Sequence, residues 1–219
     1  MYNFAMDYIL PLFDDINGLG SSGNFYKAVR KPEECWNPWH GCKKFSAGCL
    51  NCYVYRIDGR HGRDASLIEK NKNFYLPVAT DRRGDYKIPS GTVLYTCFSS
   101  DFFLEEADCW RGEVWKMMRR REDVSFFLTT KRIIRALRCL PSDWGKGYPN
   151  VTVACTVENQ AAADERVPVY LSIPQKYRMI LCEPLLGSVK FRTLSGINKV
   201  LAGGESGPDA RACFPYRRE

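Results

Sequence analysis

Between residues 92 and 202 the chain repeats one pattern: a short, nearly unbroken apolar run, then a stretch with helical spacing, then another run. "TVLYTCFSS" is β-branched and aromatic and predicts a strand over 92–100. In "ADCWRGEVWKMMRRR", Trp110, Val114, Met117 and Met118 fall on one helical face. "VSFFLTTK" predicts a second strand, and "KRIIRALRCL" a helix with Ile133, Ile134 and Leu137 on one face. The strand "NVTVACTVE", the helical "NQAAADERVPVYL", the strand "YRMILCEPL" and the run "INKVLAGGE" follow. With "CWNPWHG" as the first, six strands alternate with helical segments. Continuous apolar strands of this kind imply parallel pairing with cover on both faces, hence an α/β fold.

An open doubly wound sheet satisfies the same alternation. A partial (βα)6 TIM-like barrel fits better, because polar residues recur where strands end: Ser99, Ser100 and Asp101; Thr129, Thr130 and Lys131; Glu158 and Asn159; Glu183; Glu205 and Ser206. In βα barrels the site lies at the C-terminal ends of the strands. Each acid alone is equally well read as a helix N-cap or a first-turn charge. Their recurrence after five strands points to a shared polar mouth.

Residues 1–34 read as an extension with a flexible "NGLGSSGN" loop, and 35–219 as a single domain. The N-terminus lacks a basic region before its short apolar run and carries Asp7, Asp14 and Asp15, which excludes a signal peptide. No stretch approaches the roughly 18 apolar residues of a membrane span. Cys97, Cys155 and Cys182 lie inside apolar runs, as buried free thiols do. The expectation is a reducing, cytoplasmic compartment, where clustered cysteines serve metal or redox chemistry. The net charge of +7 is scattered through "DRRGD", "MMRRRE" and "KRIIRALR", which reads as solvated faces rather than a nucleic-acid patch.

"GCKKFSAGCLNCY" places Cys42, Cys49 and Cys52 in a C-x6-C-x2-C loop between the first strand and the first helix. Three readings compete. Three thiolates hold a [4Fe–4S] cluster whose fourth iron stays open. Alternatively, Zn2+ takes a fourth ligand from Cys35, His40 or His61, giving a zinc-stapled nucleic-acid-binding protein without catalysis. Or the thiols are simply buried, a poor match to a loop holding Gly, Lys and Asn. Cys35 as a fourth cluster ligand would instead make an electron-transfer module. Trp36, Tyr53 and Tyr55 serve either as stacking platforms for bases or, better, as core and shielding aromatics.

"WNPWHGCKKFSAGCLNCY", "SSDFF", "LTTK", "TVENQ", "CEPLLG" and "GGESGPDAR", in that order from Cys35 to Arg211, resemble the phage-associated three-cysteine-motif family, a phage Gp-type domain of unknown function related to radical SAM enzymes. The resemblance implies a partial (βα)6 barrel with a [4Fe–4S] cluster on Cys42, Cys49 and Cys52. It also implies S-adenosylmethionine on the open iron and a deoxyadenosyl radical that takes hydrogen from a substrate. Three departures from most radical SAM enzymes stand out: the first cysteine gap is six rather than three, Asn51 stands where an aromatic precedes the last cysteine, and Gly203-Gly204-Glu205 follows the sixth strand rather than the second.

Chemistry suggests the remaining roles. Lys131, Glu158 and Glu183 are the catalytic candidates. Ser99, Asp101, Glu158 and Glu205 are the cofactor-binding candidates. The expected partners are an unknown substrate, nucleic acid or nucleotide among the choices, and a reductant protein, with no membrane involved. Only "FPYRRE" follows "GGESGPDARAC", too little for a covering helix. A truncated last unit, closed by a neighbouring-gene partner, is the resulting expectation.

Overall fold

The computed structural model describes residues 35–211. The expected N-terminal extension and short C-terminal tail lie outside the described residues.

The first strand is split. β1 (Cys35–Trp36) belongs to the main sheet, and β2 (Trp39–His40) to a small ribbon. The cysteine loop leads to α1 (Tyr53–Arg60) and then to β3 (Glu69–Lys70), which pairs antiparallel with β2. From there the alternation holds: β4 (Val93–Thr96), α2 (Asp108–Arg120), β5 (Ser125–Thr130), α3 (Ile133–Cys139), β6 (Val151–Thr156), α4 (Gln160–Ser172), β7 (Met179–Cys182) and β8 (Lys199–Ala202). The main sheet has six strands in the order β1-β4-β5-β6-β7-β8, every neighbouring pair parallel. Strand order follows chain order without reversal.

Successive strand residues point to opposite faces, and here the two faces differ. Leu94, Phe126, Leu128, Val153, Cys155 and Ile180 share one core cluster with the helix residues Val114, Met118, Ile133, Ala136, Ala163, Val167 and Tyr170. The alternate residues Tyr95, Phe127, Ala154, Met179 and Leu181 form a second buried cluster to which no described helix contributes. α2, α3 and α4 therefore cover one face, where the sequence pattern suggested cover on both. Right-handed crossovers between strands in chain order place each helix on the same side, which accounts for the difference.

Two further corrections concern side chains. In α3, Ile133 and Ala136 are buried while Leu137 is 54% exposed. The helix is only seven residues long, and it packs through the i, i+3 pair. The polar excursion 65–90 is no free loop, since Phe74 and Ile88 are buried. The Trp36 indole donates to Asn73 O and Phe74 O at 3.2 Å. Arg121, fully buried, donates to Pro77 O and, at 2.7 Å, to Ile88 O.

The segment after β8 turns back across the molecule. Arg211 Nη2 donates to Ala47 O at 2.9 Å, Asn51 Nδ2 to Asp209 O at 2.7 Å, and Arg56 Nη1 to Ser206 O at 3.1 Å. The connections after the first and last strands of the sheet thus touch. No described helix is long and apolar enough to cross a membrane.

Candidate functional site

The cysteine loop is anchored before it reaches its second thiol. Gly41 has φ of +88°, and a Cβ there would overlap the Leu67 carbonyl oxygen, so only glycine fits. Its amide donates to Ser99 O at 3.2 Å, and its carbonyl accepts from Ser100 Oγ at 2.5 Å. The Cys42 amide donates to Ala65 O at 2.8 Å, and the Tyr55 hydroxyl to Cys42 O at 2.5 Å. Arg132, just past β5, donates to Lys43 O at 2.5 Å and brings Nη1 to 3.8 Å from Cys42 Sγ. Phe45 lies beside two guanidinium groups, 4.9 Å from Arg132 and 5.5 Å from Arg166. A short 3-10 turn, Ala47–Cys49, carries the second thiol, and Cys52 is the N-cap of α1.

All three thiols are free and half-buried. Burial pushes the Cys42 thiol up to about 12, with Asp101 adding to the rise and Arg132 opposing it. Burial also raises Cys52, against the pull of the Val54 amide, Lys131 and the Tyr55 amide. The three sulfurs sense one another: Cys49 and Cys52 both bear on Cys42, and Cys49 on Cys52. Among the described residues no three His, Cys, Asp or Glu side chains converge on one point as a mononuclear ion requires. A cubane asks for something else, since each thiolate meets a different iron. Three neighbouring free thiols on one loop, with Arg132 and Lys131 close by to offset thiolate charge, fit that donor set. The residues that could complete a zinc site lie in different settings. His40 Nε2 is 2.6 Å from Asp58 Oδ2, His61 is exposed, and Cys35 packs within β1 against the second core cluster. Trp36 is fully buried and offers no stacking face.

Beside the loop, at the C-terminal edge of the sheet, lies a cleft of about 190 Å³. Cys52, Lys131, Glu183 and Glu205 line it together with Thr129, Thr156 and Phe98. Gly48 gives the lysine its room: a Cβ there would stand 3.0 Å from Lys131 Cε and 3.4 Å from Glu158 Cδ.

The carboxylates expected at the mouth divide by their partners. Asp101, buried, accepts from Thr130 Oγ1 at 2.7 Å, the Phe103 amide at 2.9 Å and the Lys131 amide at 3.0 Å, with Arg132 at 3.5 Å. It braces the loops after β4 and β5 and does not line the cleft. Glu158, 1% exposed, pairs with the buried Arg166 at 2.8 Å. Burial opposes its ionisation, but the nearby Ser46 hydroxyl, the Arg166 guanidinium and Lys131 together hold its carboxyl below the usual range. Glu205 is held at about 2 by hydrogen bonds from Arg211, with Asn51 donating at 3.0 Å. Glu183 differs: burial raises its carboxyl, and Oε1 is buried without a hydrogen-bond partner. Ser99 contributes backbone contacts, its amide donating to Asn37 Oδ1 at 2.9 Å. Asn159, grouped with Glu158 in the sequence, caps α4 by accepting from the Ala162 amide.

Arg132, Arg166 and Arg211 lie inside the runs "KRIIRALRCL", "NQAAADERVPVYL" and "GGESGPDAR", yet the sequence assigned none of them a role at the site. Charge complementarity to the nearest acid was the signal available.

The family described as "Protein of unknown function (DUF5131)" matches residues 27–216. The chain belongs to that family. No curated protein matches the chain, and no solved structure does. Family membership therefore covers the whole mouth, from the cysteine loop to Arg211, and brings no reaction with it.

Proposed function

We propose that this chain is a radical-SAM-like iron–sulfur enzyme on a partial (βα)6 barrel, of the phage-associated three-cysteine lineage that its motifs resemble. The observation that carries the proposal is three free thiols on one loop beside the C-terminal edge of a parallel sheet, with Cys52 opening into a polar cleft. Strand order without reversal, helices on one face and touching first and last connections all support the barrel. Cys97, Cys155 and Cys182, free thiols buried in the core, support a reducing, cytoplasmic setting.

Cys42, Cys49 and Cys52 would hold a [4Fe–4S] cluster. When bound, it supplies one-electron chemistry for reductive cleavage of S-adenosylmethionine, with a reductant protein as electron source. The chain's own residues do the rest. Arg132 beside Cys42 and Lys131 near Cys52 offset thiolate charge. Phe98, Leu181 and the Tyr53 ring wall the cleft and limit water. Lys131 and Glu183 face the bound molecule, while Glu158 and Asp101 position their neighbours.

Anaerobic purification tests this. The expected result is a brown protein with about four irons per chain. Changing Cys42, Cys49 or Cys52 to Ser should strip the iron, and Cys35→Ser should leave it. A colourless preparation, free of iron and replete with zinc, would replace this reading with the zinc-stapled nucleic-acid binder.

A further inference from the structure

Of the charges gathered at the mouth, most are spoken for. Arg166 takes Glu158, Arg211 takes Glu205, and Asp101 is saturated by Thr130 and backbone amides. Two remain. Lys131 forms no ion pair among the described residues, and Glu183 Oε1 is buried there with no hydrogen-bond donor; both line the same cleft. Their separation is short enough for Lys131 to lower the Glu183 carboxyl, yet they do not pair. Gly203 is pressed against Glu183, where a Cβ would stand 2.7 Å from Oε1, so the carboxylate is held by packing rather than by a donor. Unpaired charges of both signs in a half-buried site are unfavourable unless a ligand completes them. A ligand with one sign of charge completes only one.

Size narrows the class further. A cavity of about 150 Å³ holds benzene, so a cleft of about 190 Å³ encloses a group only slightly larger. Thr129 and Thr156 add polar lining, and Phe98 an apolar wall. We propose that the cleft binds the zwitterionic, α-amino-acid-sized group of the substrate, its ammonium on Glu183 and its carboxylate on Lys131. This rests on the reading of the mouth as the catalytic site.

The test is calorimetric titration of the full chain as purified, its iron content measured on the same sample, with each free α-amino acid, its decarboxylated amine and its N-acetyl derivative. S-adenosylmethionine forms a parallel arm. At least one free amino acid should bind, with the amine and the N-acetyl form each weaker by about tenfold or more. Lys131→Met should weaken the amino acid but not the amine, and Glu183→Gln should weaken both. Circular dichroism melts confirm that the variants fold, and the analogue series on the unaltered protein needs no variant at all. Silence from every amino acid, equal binding of the blocked forms, or binding of S-adenosylmethionine alone would overturn the proposal. Iron content is read independently, so loss of the cluster reading and loss of this one are separate results.

Discussion

Arg211 grips both carboxylate oxygens of Glu205, at 2.6 Å to Oε1 and 2.9 Å to Oε2, while its own amide donates to Oε2 at 2.8 Å. The same guanidinium reaches Ala47 O in the cysteine loop. One side chain therefore ties the segment after the last strand to the thiol-bearing turn.

Arg211→Ala is expected to lower stability by about 1–2 kcal/mol at neutral pH, the range for charge-assisted hydrogen bonds. The sign with pH follows from the depressed carboxyl. The contribution is present in full above an ordinary glutamate value of about 4.3 and is lost as pH falls through about 2. Denaturant melts of the two proteins should converge over that window. A gap that persists unchanged into acid would assign the loss to packing instead.

Two glycines should respond in opposite directions. Gly41→Ala places a side chain at φ of +88° against the Leu67 carbonyl and is expected to destabilise by about 3 kcal/mol. Gly112 lies within α2, with open space where a Cβ would stand, so Gly112→Ala should stabilise by about 0.5–1 kcal/mol. Thermal denaturation of both variants checks the pair.

The buried Glu158–Arg166 pair, at 1% and 2% exposure, is expected to be costly to break from one side. Arg166→Met should destabilise by about 3–5 kcal/mol, because it strands a buried carboxylate and removes the donor to Thr156 O. Adding Glu158→Leu to Arg166→Met should restore much of that loss in urea titration. No recovery would mean that Arg166 acts mainly through Thr156.

Arg132 bears on the cysteine loop by charge and by geometry together. Arg132→Lys keeps the charge, but its single ammonium nitrogen cannot span Lys43 O on one side and Asp101 and Cys42 Sγ on the other, as the two guanidinium Nη atoms do. Under the iron–sulfur reading, iron per chain should fall severalfold while the circular dichroism spectrum stays unchanged. Full iron retention would confine Arg132 to a structural role.

Much of the fold was legible in the linear pattern. Every strand and helix expected between residues 92 and 202 is present, because apolar runs and helical faces are local properties. Of the polar residues noted at strand ends, Thr129, Lys131, Glu183, Glu205 and Ser206 line one cleft, since parallel strands deliver their C-terminal ends to the same side. The β2–β3 ribbon was not legible, as two-residue strands carry no periodicity. Nor was the exposure of Leu137, which depends on where a seven-residue helix happens to touch its neighbours.

Residue order along the chain was enough to specify the kinds of element, their succession, and the presence of three thiols on a loop beside acids and a lysine. Which of those charges are already consumed emerged only once the chain was folded. Asp101 meets Thr130 across 29 positions, and Arg211 meets Ala47 across 164. Partnership of that kind is set by a few ångströms through space rather than by spacing along the chain. Among the described residues it leaves Lys131 without an ion pair and Glu183 Oε1 without a donor, while their neighbours are tied to one another.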